Sequence, residues 1–381
     1  MSAVAGASTI LRNGAPKVGL ILIVIAVIGA LAALDMFLED AEQAELAGQA
    51  QQAYAQGRRL LQAGKADAAV DALRRAHALE RKNLTYELQL IAALTAAGKT
   101  SEAEPLMNEV LDADRNDGGA NLVAARLRLK EGHTVDAEAY YHRAIYGQWR
   151  QDAEAHRIAA RLELINLLVR KNQKEDLLAE LLPLEEEARN NSGIQMQLAR
   201  LFLIAGSPSR AADVDRALIR EQPQNVQAYQ GLGEAELQQG DYRAAHAAFN
   251  SAFLLKSNDP NLRSRLQLAS TLAGLDPTPR WLSSADKYQR SLRILEWAQQ
   301  NLERCIQTQP SGPNSEQQTL LEQADNAMSN QKPAQVTNEL SEGTLALAEK
   351  IWEARLSACG PSTAPDEEAL RLIMLKLTQP S

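Results

Sequence analysis

The segment Ala93-Leu-Thr-Ala-Ala-Gly98-Lys99-Thr100 comes nearest to a chemical signature, a phosphate-binding loop whose first glycine is replaced. That chemistry needs pliable backbone after a strand, so that successive amides can converge on a phosphate. Gly98 instead falls in a regular series of turn residues, and the stretch reads as the end of a helix. Five histidines, His77, His133, His142, His156 and His246, are of a type that can hold a metal. They show no HExxH spacing and no nearby cysteine, although His133 and His142 flank one turn. Cys305 and Cys359 are the only cysteines, too few for a four-thiolate zinc site. No GxSxG elbow or Cys/His signature supplies a nucleophile, and Glu185-Glu186-Glu187 reads as an exposed helix end. No catalytic residue, cofactor, metal or small-molecule substrate is expected, and the chain is not expected to be an enzyme.

The elements that carry these residues are expected to be helices. Aromatics make up only 4% of the 381 residues, and Ala and Leu recur throughout, which favours helices packed through small side chains. A net charge of −8 without a basic run argues against recruiting nucleic acid by phosphate neutralisation.

Val18 to Leu34 (VGLILIVIAVIGALAAL) is an uninterrupted apolar run. As a helix it would reach ~26 Å, and Met36 to Leu38 could extend it past Asp35. Apolar on every face, it is read as a transmembrane helix over residues 18–38, between a short cytoplasmic N-terminus (1–17) and a juxtamembrane helix or linker (39–49). Ala30-Leu31-Ala32 resembles a signal-peptide cleavage site, but the run is longer than an ordinary h-region. Arg12 and Lys17 precede the span, Asp35, Glu39, Asp40, Glu42 and Glu45 crowd its far side, and no Lys or Arg follows until Arg58. That bias predicts a single-pass inner-membrane protein with its N-terminus in the cytoplasm and its repeat domain periplasmic.

Self-similarity carries the architecture. Gly64, Gly98, Gly132, Gly206, Gly240 and Gly274 fall on a 34-residue grid, broken by one 40-residue step from Gly132 to Asn172. Gly and Asn tolerate the left-handed conformation that ends a helix. Five positions after the turn residues stand Ala69, Ala103, Ala137, Leu177, Ala211 and Ala245, a small side chain in five of the six where two helices would approach closely. Nine positions after stand Leu73, Met107, Tyr141, Leu181, Asp215 and Phe249, and twelve after stand Ala76, Val110, Ala144, Leu184, Leu218 and Ala252. These offsets share one face of a second helix.

These residues resemble the tetratricopeptide repeat (TPR) family, and the copy nearest to it is Tyr229-Gln-Gly-Leu232-Gly233, then Gly240-Asp241-Tyr242, Ala245, Phe249 and Ala252. The pattern is departed from at Glu236, where the family usually has an aromatic, and at Asp215, where a large apolar residue is expected. Only Pro223 holds the closing proline position. The resemblance implies an all-α fold, a right-handed α-solenoid of helix-turn-helix repeats. The solenoid would cover 50–274, as about six repeats plus the first helix of a seventh, and a C-terminal helical cap domain would cover 275–381. It further implies a peptide groove lined by the first helix of each repeat: Tyr54, Arg58, Leu88, Leu122, Arg126, Lys130, Leu162, Asn166, Arg170, Met196 and Arg200. The basic bias of this set suggests an acidic or C-terminal peptide, although a solvated helix face explains scattered arginines equally well. Chaperone-binding members of the family clamp a terminal carboxylate with Lys and Asn. Here the Lys positions hold Tyr54, Leu88, Leu122, Leu162 and Met196, and only Asn166 remains, so that mode of recruitment is not expected.

Beyond Gly274, Asp276-Pro-Thr-Pro279 cannot start a helix, which ends the repeats. Helices are predicted over about Ser284 to Thr308, Glu316 to Ser329 and Pro333 to Ala358, the last stopped by Gly360-Pro361. A closing helix carries Leu370, Ile373, Met374 and Leu377 on one stripe, as a cap over a terminal hydrophobic face. In an up-down-up set the first and third helices run parallel, which brings Cys305 and Cys359 to one end and makes a disulfide possible. Two buried free thiols are the alternative.

The function these features suggest is a membrane-anchored TPR scaffold that binds a protein or peptide partner, in envelope assembly, secretion or periplasmic chaperoning. Alternatives are a cytoplasm-facing adaptor for membrane-associated machinery and a self-assembling structural protein. A C-terminal enzymatic or ligand-binding domain is a further reading, although that region shows no catalytic constellation.

Overall fold

A computed structural model describes residues 15–309, 312–329, 336–361 and 365–378. Among these residues the chain forms seventeen helices, and its sole β feature is an isolated bridge between Asp117 and Gln148. Helix α1 (Ala15–Gln62) turns at Gly64 into α2 (Ala66–Leu79). Hairpins follow as α3 (Leu84–Ala96) with α4 (Thr100–Ala113), α5 (Gly118–Lys130) with α6 (Thr134–Tyr146), and α7 (Ala153–Lys171) with α8 (Lys174–Glu187). Next come α9 (Ser192–Ile204) with α10 (Pro208–Glu221) and α11 (Val226–Gln239) with α12 (Tyr242–Leu255). The chain continues through α13 (Pro260–Leu275), α14 (Ser284–Gln307), α15 (Ser315–Ser329), α16 (Asn338–Cys359) and α17 (Pro365–Thr378). Two compact units result, the first up to Asn166 and the second from Leu167 on.

Local chemistry sets each hairpin. Gly64, Gly98, Gly132, Gly206 and Gly240 have φ between 71° and 86°, and Asn172 has φ 54°, so all six turn residues adopt the left-handed conformation. The next residue closes a Schellman turn: Lys65 N donates to Leu60 O at 2.9 Å, and Asp241 N donates to Glu236 O at 3.0 Å. At the other end of the hairpins, Asn83, Asp117, Asn191, Asn225 and Asp259 cap α3, α5, α9, α11 and α13 by accepting from backbone amides one turn in. These caps keep the same 34-residue spacing as the glycines, a second grid that the glycine and alanine pattern did not reveal. The residues at all three offsets from the turns, Asp215 included, are buried. At close helix crossings, Leu73 fills the space over Gly57 and Phe249 that over Gly233, at 2.5 and 2.7 Å from where a Cβ would stand.

The 40-residue step is taken up before α7. Residues 147–152 form a clip in which Gly118 N donates to Gln148 O at 2.7 Å and Gln148 N donates to Asn116 O at 2.8 Å. Trp149 lies flat against Gly118 and donates Nε1 to Ala144 O at 2.9 Å. Gly274 breaks the expectation of a left-handed turn, because it lies inside α13. The helix ends instead at Asp276, held extended at φ −60° and ψ 114° by the proline that follows. A chain stopped by Pro277 has no need of a left-handed glycine.

The membrane placement is corrected. Among the described residues no helix is long and apolar enough to cross a membrane. Helix α1 runs unbroken from Ala15 to Gln62, so the apolar run is the start of a longer helix rather than a separate span. Asp35 interrupts the apolar run within this helix, and Glu39 and Asp40 follow one turn on. Arg12, on which the orientation rested, lies outside the described residues, as does the side chain of Lys17. The inner-membrane location with an outward-facing repeat domain therefore does not stand.

In the second unit, α14 and α17 pack on α13, and α15 and α16 pack on α14, around a core that includes Leu295, Ala298, Leu302, Ile351, Trp352, Leu370 and Ile373. Helix α17 is pinned to the repeats by polar contacts as well. Tyr242 Oη donates to Leu372 O at 2.9 Å, while Lys376 Nζ donates to Gly240 O and pairs with Asp276, both at 2.7 Å. Burial, with Asp276 adding to it, pushes the Tyr242 phenol up, so this donor keeps its proton throughout the ordinary pH range.

A candidate binding groove on the first helices

The first helices α1, α3 and α5 pack side by side in the first unit and expose a common face. A cleft of about 520 Å³ opens on that face, lined by Leu61 of α1, Ala92, Thr95 and Ala96 of α3, Val123, Arg126, Leu129 and Lys130 of α5, and Glu163 of α7. Tyr141 reaches into it from α6. The floor is largely apolar because these first helices meet through alanine, valine and leucine. Thr95 turns its hydroxyl inward, donating to Ile91 O at 2.8 Å, and shows the cleft its methyl side.

One wall is polar and fixed. Arg126 grips Glu163 with two hydrogen bonds, Nε to Oε2 at 2.9 Å and Nη2 to Oε1 at 2.5 Å, and Tyr141 Oη donates to Glu163 Oε2 at 3.1 Å. The bond to Glu163 raises the pKa of the Arg126 guanidinium above its usual value. A bidentate pair of this kind holds both side chains in one geometry. Lys130, one turn on, is exposed and has no ion-pair partner among the described residues.

The expected groove residues are distributed unevenly. Arg126 and Lys130 line the cleft. Tyr54 is not among the cleft's lining residues; it is half-buried, with its ring 4.8 Å from that of Tyr86, and the exposed Arg58 guanidinium stands 5.8 Å over the Tyr54 ring. Leu88 is half-buried against the core of the first unit, and Leu122 is buried with only 7% exposed. Leu162 is half-buried, and Asn166 is exposed. In the second unit Arg170 and Arg200 are exposed, while half-buried Met196 accepts at Sδ from Asn225 Nδ2 at 3.8 Å. Leu61, Ala92, Val123 and Glu163 were absent from the expected set. The sequence signal that could have found them is the register: the residues six and nine positions before a turn, Ala92, Arg126, Val123 and Glu163, recur on the lining face. Cys305 and Cys359 are joined as a disulfide in the second unit, with Cα atoms 6.1 Å apart. Among the described residues no group of three or more His, Cys, Asp or Glu could hold a metal ion.

No family model matches the chain, and no curated protein matches it. Solved structures are similar in fold at low identity. YrrB, a TPR protein with an unusual peptide-binding site, is 15% identical over 53% of this chain and 99% of its own, with a TM-score of 0.40. A tetratricopeptide repeat protein from Parabacteroides merdae is 17% identical over 58% of this chain and 99% of its own, with a TM-score of 0.26. The TPR2AB domain of yeast Sti1, in its pHSP90 complex, is 17% identical over 79% of this chain and 98% of its own, with a TM-score of 0.27. At such scores the functional reading is left to this chain's own residues.

Proposed function

We propose that the chain is a helical-repeat scaffold that binds a protein partner by taking a peptide segment into the cleft on α1, α3 and α5. The observation that carries this reading is the cleft itself. A largely apolar floor is bounded by an Arg126–Glu163–Tyr141 network already held in place and by an unpaired Lys130. Pre-set polar groups around an apolar floor lower the ordering cost of binding. Arg126 is neutralised by Glu163, so among the described residues the cation left free at this cleft is Lys130, and the matching peptide carries an apolar side chain with an acidic group beside it. Tyr54, Arg58, Leu88, Leu162 and Asn166 extend this surface in the first unit, and Arg170, Met196 and Arg200 would serve a corresponding surface in the second. We read residues 50–274 as the repeats and 275–381 as the helical unit that closes them. No catalytic role is proposed.

The test is selection of peptides from a displayed random library on the purified chain, followed by affinity measurement. Ala92→Arg, which projects a long side chain into the cleft from a half-buried site, is expected to weaken the selected peptides at least tenfold. Lys130→Glu is expected to weaken acidic peptides selectively. Peptides that bind both variants as tightly as the parent chain would rule out this cleft as their site.

A further inference from the structure

At the position where the other hairpins place Leu73, Met107, Tyr141, Leu181 or Phe249, the fifth hairpin places Asp215. Its side chain is not turned out to water. The residue is 2% exposed, and Oδ2 has no hydrogen-bond partner. The carboxyl lies directly over Gly231 of α11, with Oδ2 2.4 Å from where a Cβ would stand. A bare glycine on the neighbouring helix is what admits the carboxyl at all. The third hairpin shows the ordinary solution in the same register, where Tyr141 meets the charged Glu163 and donates to it.

The charged groups on the surrounding helices are engaged elsewhere or exposed. On α10 itself Arg210 bonds Glu185 of α8 at 3.4 Å, and Arg216 pairs with Asp213 at 2.9 Å and with Glu236 of α11. Arg220 and Glu221 stand at the solvent end of α10. On α9 the only titratable side chain is Arg200, which is exposed. On α11 Glu234 pairs with Arg265 of α13, and Tyr229 is the remaining titratable residue. Burial pushes the Asp215 carboxyl from 3.8 up to about 7, and no neighbouring charge contributes. A neutral carboxylic acid with one unmet acceptor is tolerable in such a place, whereas a bare carboxylate there is costly.

We propose that the contact between α10 and α11 is a proton-controlled hinge, closed over Gly231 while Asp215 carries its proton and opening when that proton is released to water. The sign follows from linkage. In the closed form Asp215 holds its proton to higher pH than in the open, solvated form, where an aspartate has its ordinary acidity. Closure is therefore fully favoured below about pH 4, is lost as pH rises toward 7, and levels off above 7 once both forms are ionised. Between pH 5 and 7 the opening equilibrium shifts by about fiftyfold. The hinge lies in the second unit, so the cleft on α1, α3 and α5 can bind peptide whether or not it operates.

The test is hydrogen exchange of the whole chain, corrected for intrinsic rates, at pH 5, 6, 7 and 8. Protection across α10 and α11 is expected to fall by about ninefold from pH 5 to 6 and about fivefold from pH 6 to 7, and then to flatten, while α3 to α5 serve as the internal reference. Asp215→Asn and Asp215→Leu are expected to remove the part of the pH dependence of α10 and α11 that Asp215 contributes, leaving what the buried Glu236 carboxyl, also raised by burial, supplies, and Leu to raise their protection at pH 8. Equal pH dependence in the variants and the parent chain would overturn the proposal. Should neither variant fold, a parent chain whose α10 and α11 follow the same profile as α3 to α5 overturns it without them.

Discussion

Reduction of the Cys305–Cys359 disulfide is a perturbation whose size can be worked out beforehand. The bond joins the C-terminal ends of α14 and α16 and closes a loop of 54 residues. In the chain-entropy description, a loop of that length removes about 14 cal/mol/K from the unfolded ensemble, which is about 4 kcal/mol at 25 °C. Reduction leaves both sulfurs in place, so it adds no cavity and the expected loss is the entropic one. The native contacts around the bond should hold the reduced form together: Gln309 Nε2 donates to Ala358 O at 2.9 Å, and Arg355 donates to Gly360 O and pairs with Glu367 of α17 at 2.8 Å. The assay is urea unfolding with and without a thiol-free reductant, followed by hydrogen exchange to separate the two units. Global-opening protection in α14 and α16 should drop by about three decades, with α2 to α5 unchanged. A loss below about 1 kcal/mol would refute the chain-entropy reasoning. Two alkylatable thiols in natively purified, undigested protein would remove its premise.

Two further outcomes are expected. Asn225→Ala removes the acceptor for Ala228 N, now at 3.1 Å, and should cost about 1 kcal/mol; chemical denaturation monitored by circular dichroism measures it, and Asn225→Asp should restore most of the loss. Gly233→Ala sets a methyl 2.7 Å from the Phe249 ring and should cost about 1–3 kcal/mol by overpacking, whereas Gly29→Ala, with no neighbouring atom within 4 Å, should cost nothing measurable in the same experiment.

The hairpins were legible in the sequence because their causes are local. A left-handed glycine, an alanine five residues on and an Asn or Asp at the next helix start each act over a few residues, and repetition at 34 makes each copy support the others. The Asn and Asp caps are as local a signal as the glycines, because each acts on amides within the first turn of its own helix. Leu370, Ile373, Met374 and Leu377 of α17 were read as a cap, and the first three are buried in the second unit's core. Gly274 misled for an equally local reason: its grid position said turn, but the proline three residues on ended the helix first.

What the sequence by itself determined is the succession of helices and turns, since turn geometry and apolar spacing depend on neighbours along the chain. What only tertiary structure decided is which charges remain available and where buried polar groups end. Arg126 and Glu163 lie 37 residues apart, and no pattern in either helix announces that they neutralise each other. Asp215 stands where the repeat calls for a large apolar residue, but only the packing shows its carboxyl buried, with Oδ2 unmet, over Gly231 of the next helix. The apolar run from Val18 has the composition of a membrane span, but the described helix carries it into Asp35 and on to Gln62. Pairing, burial and electrostatic environment are set by helices packing across the fold, and their free energies depend on distances that sequence spacing does not encode.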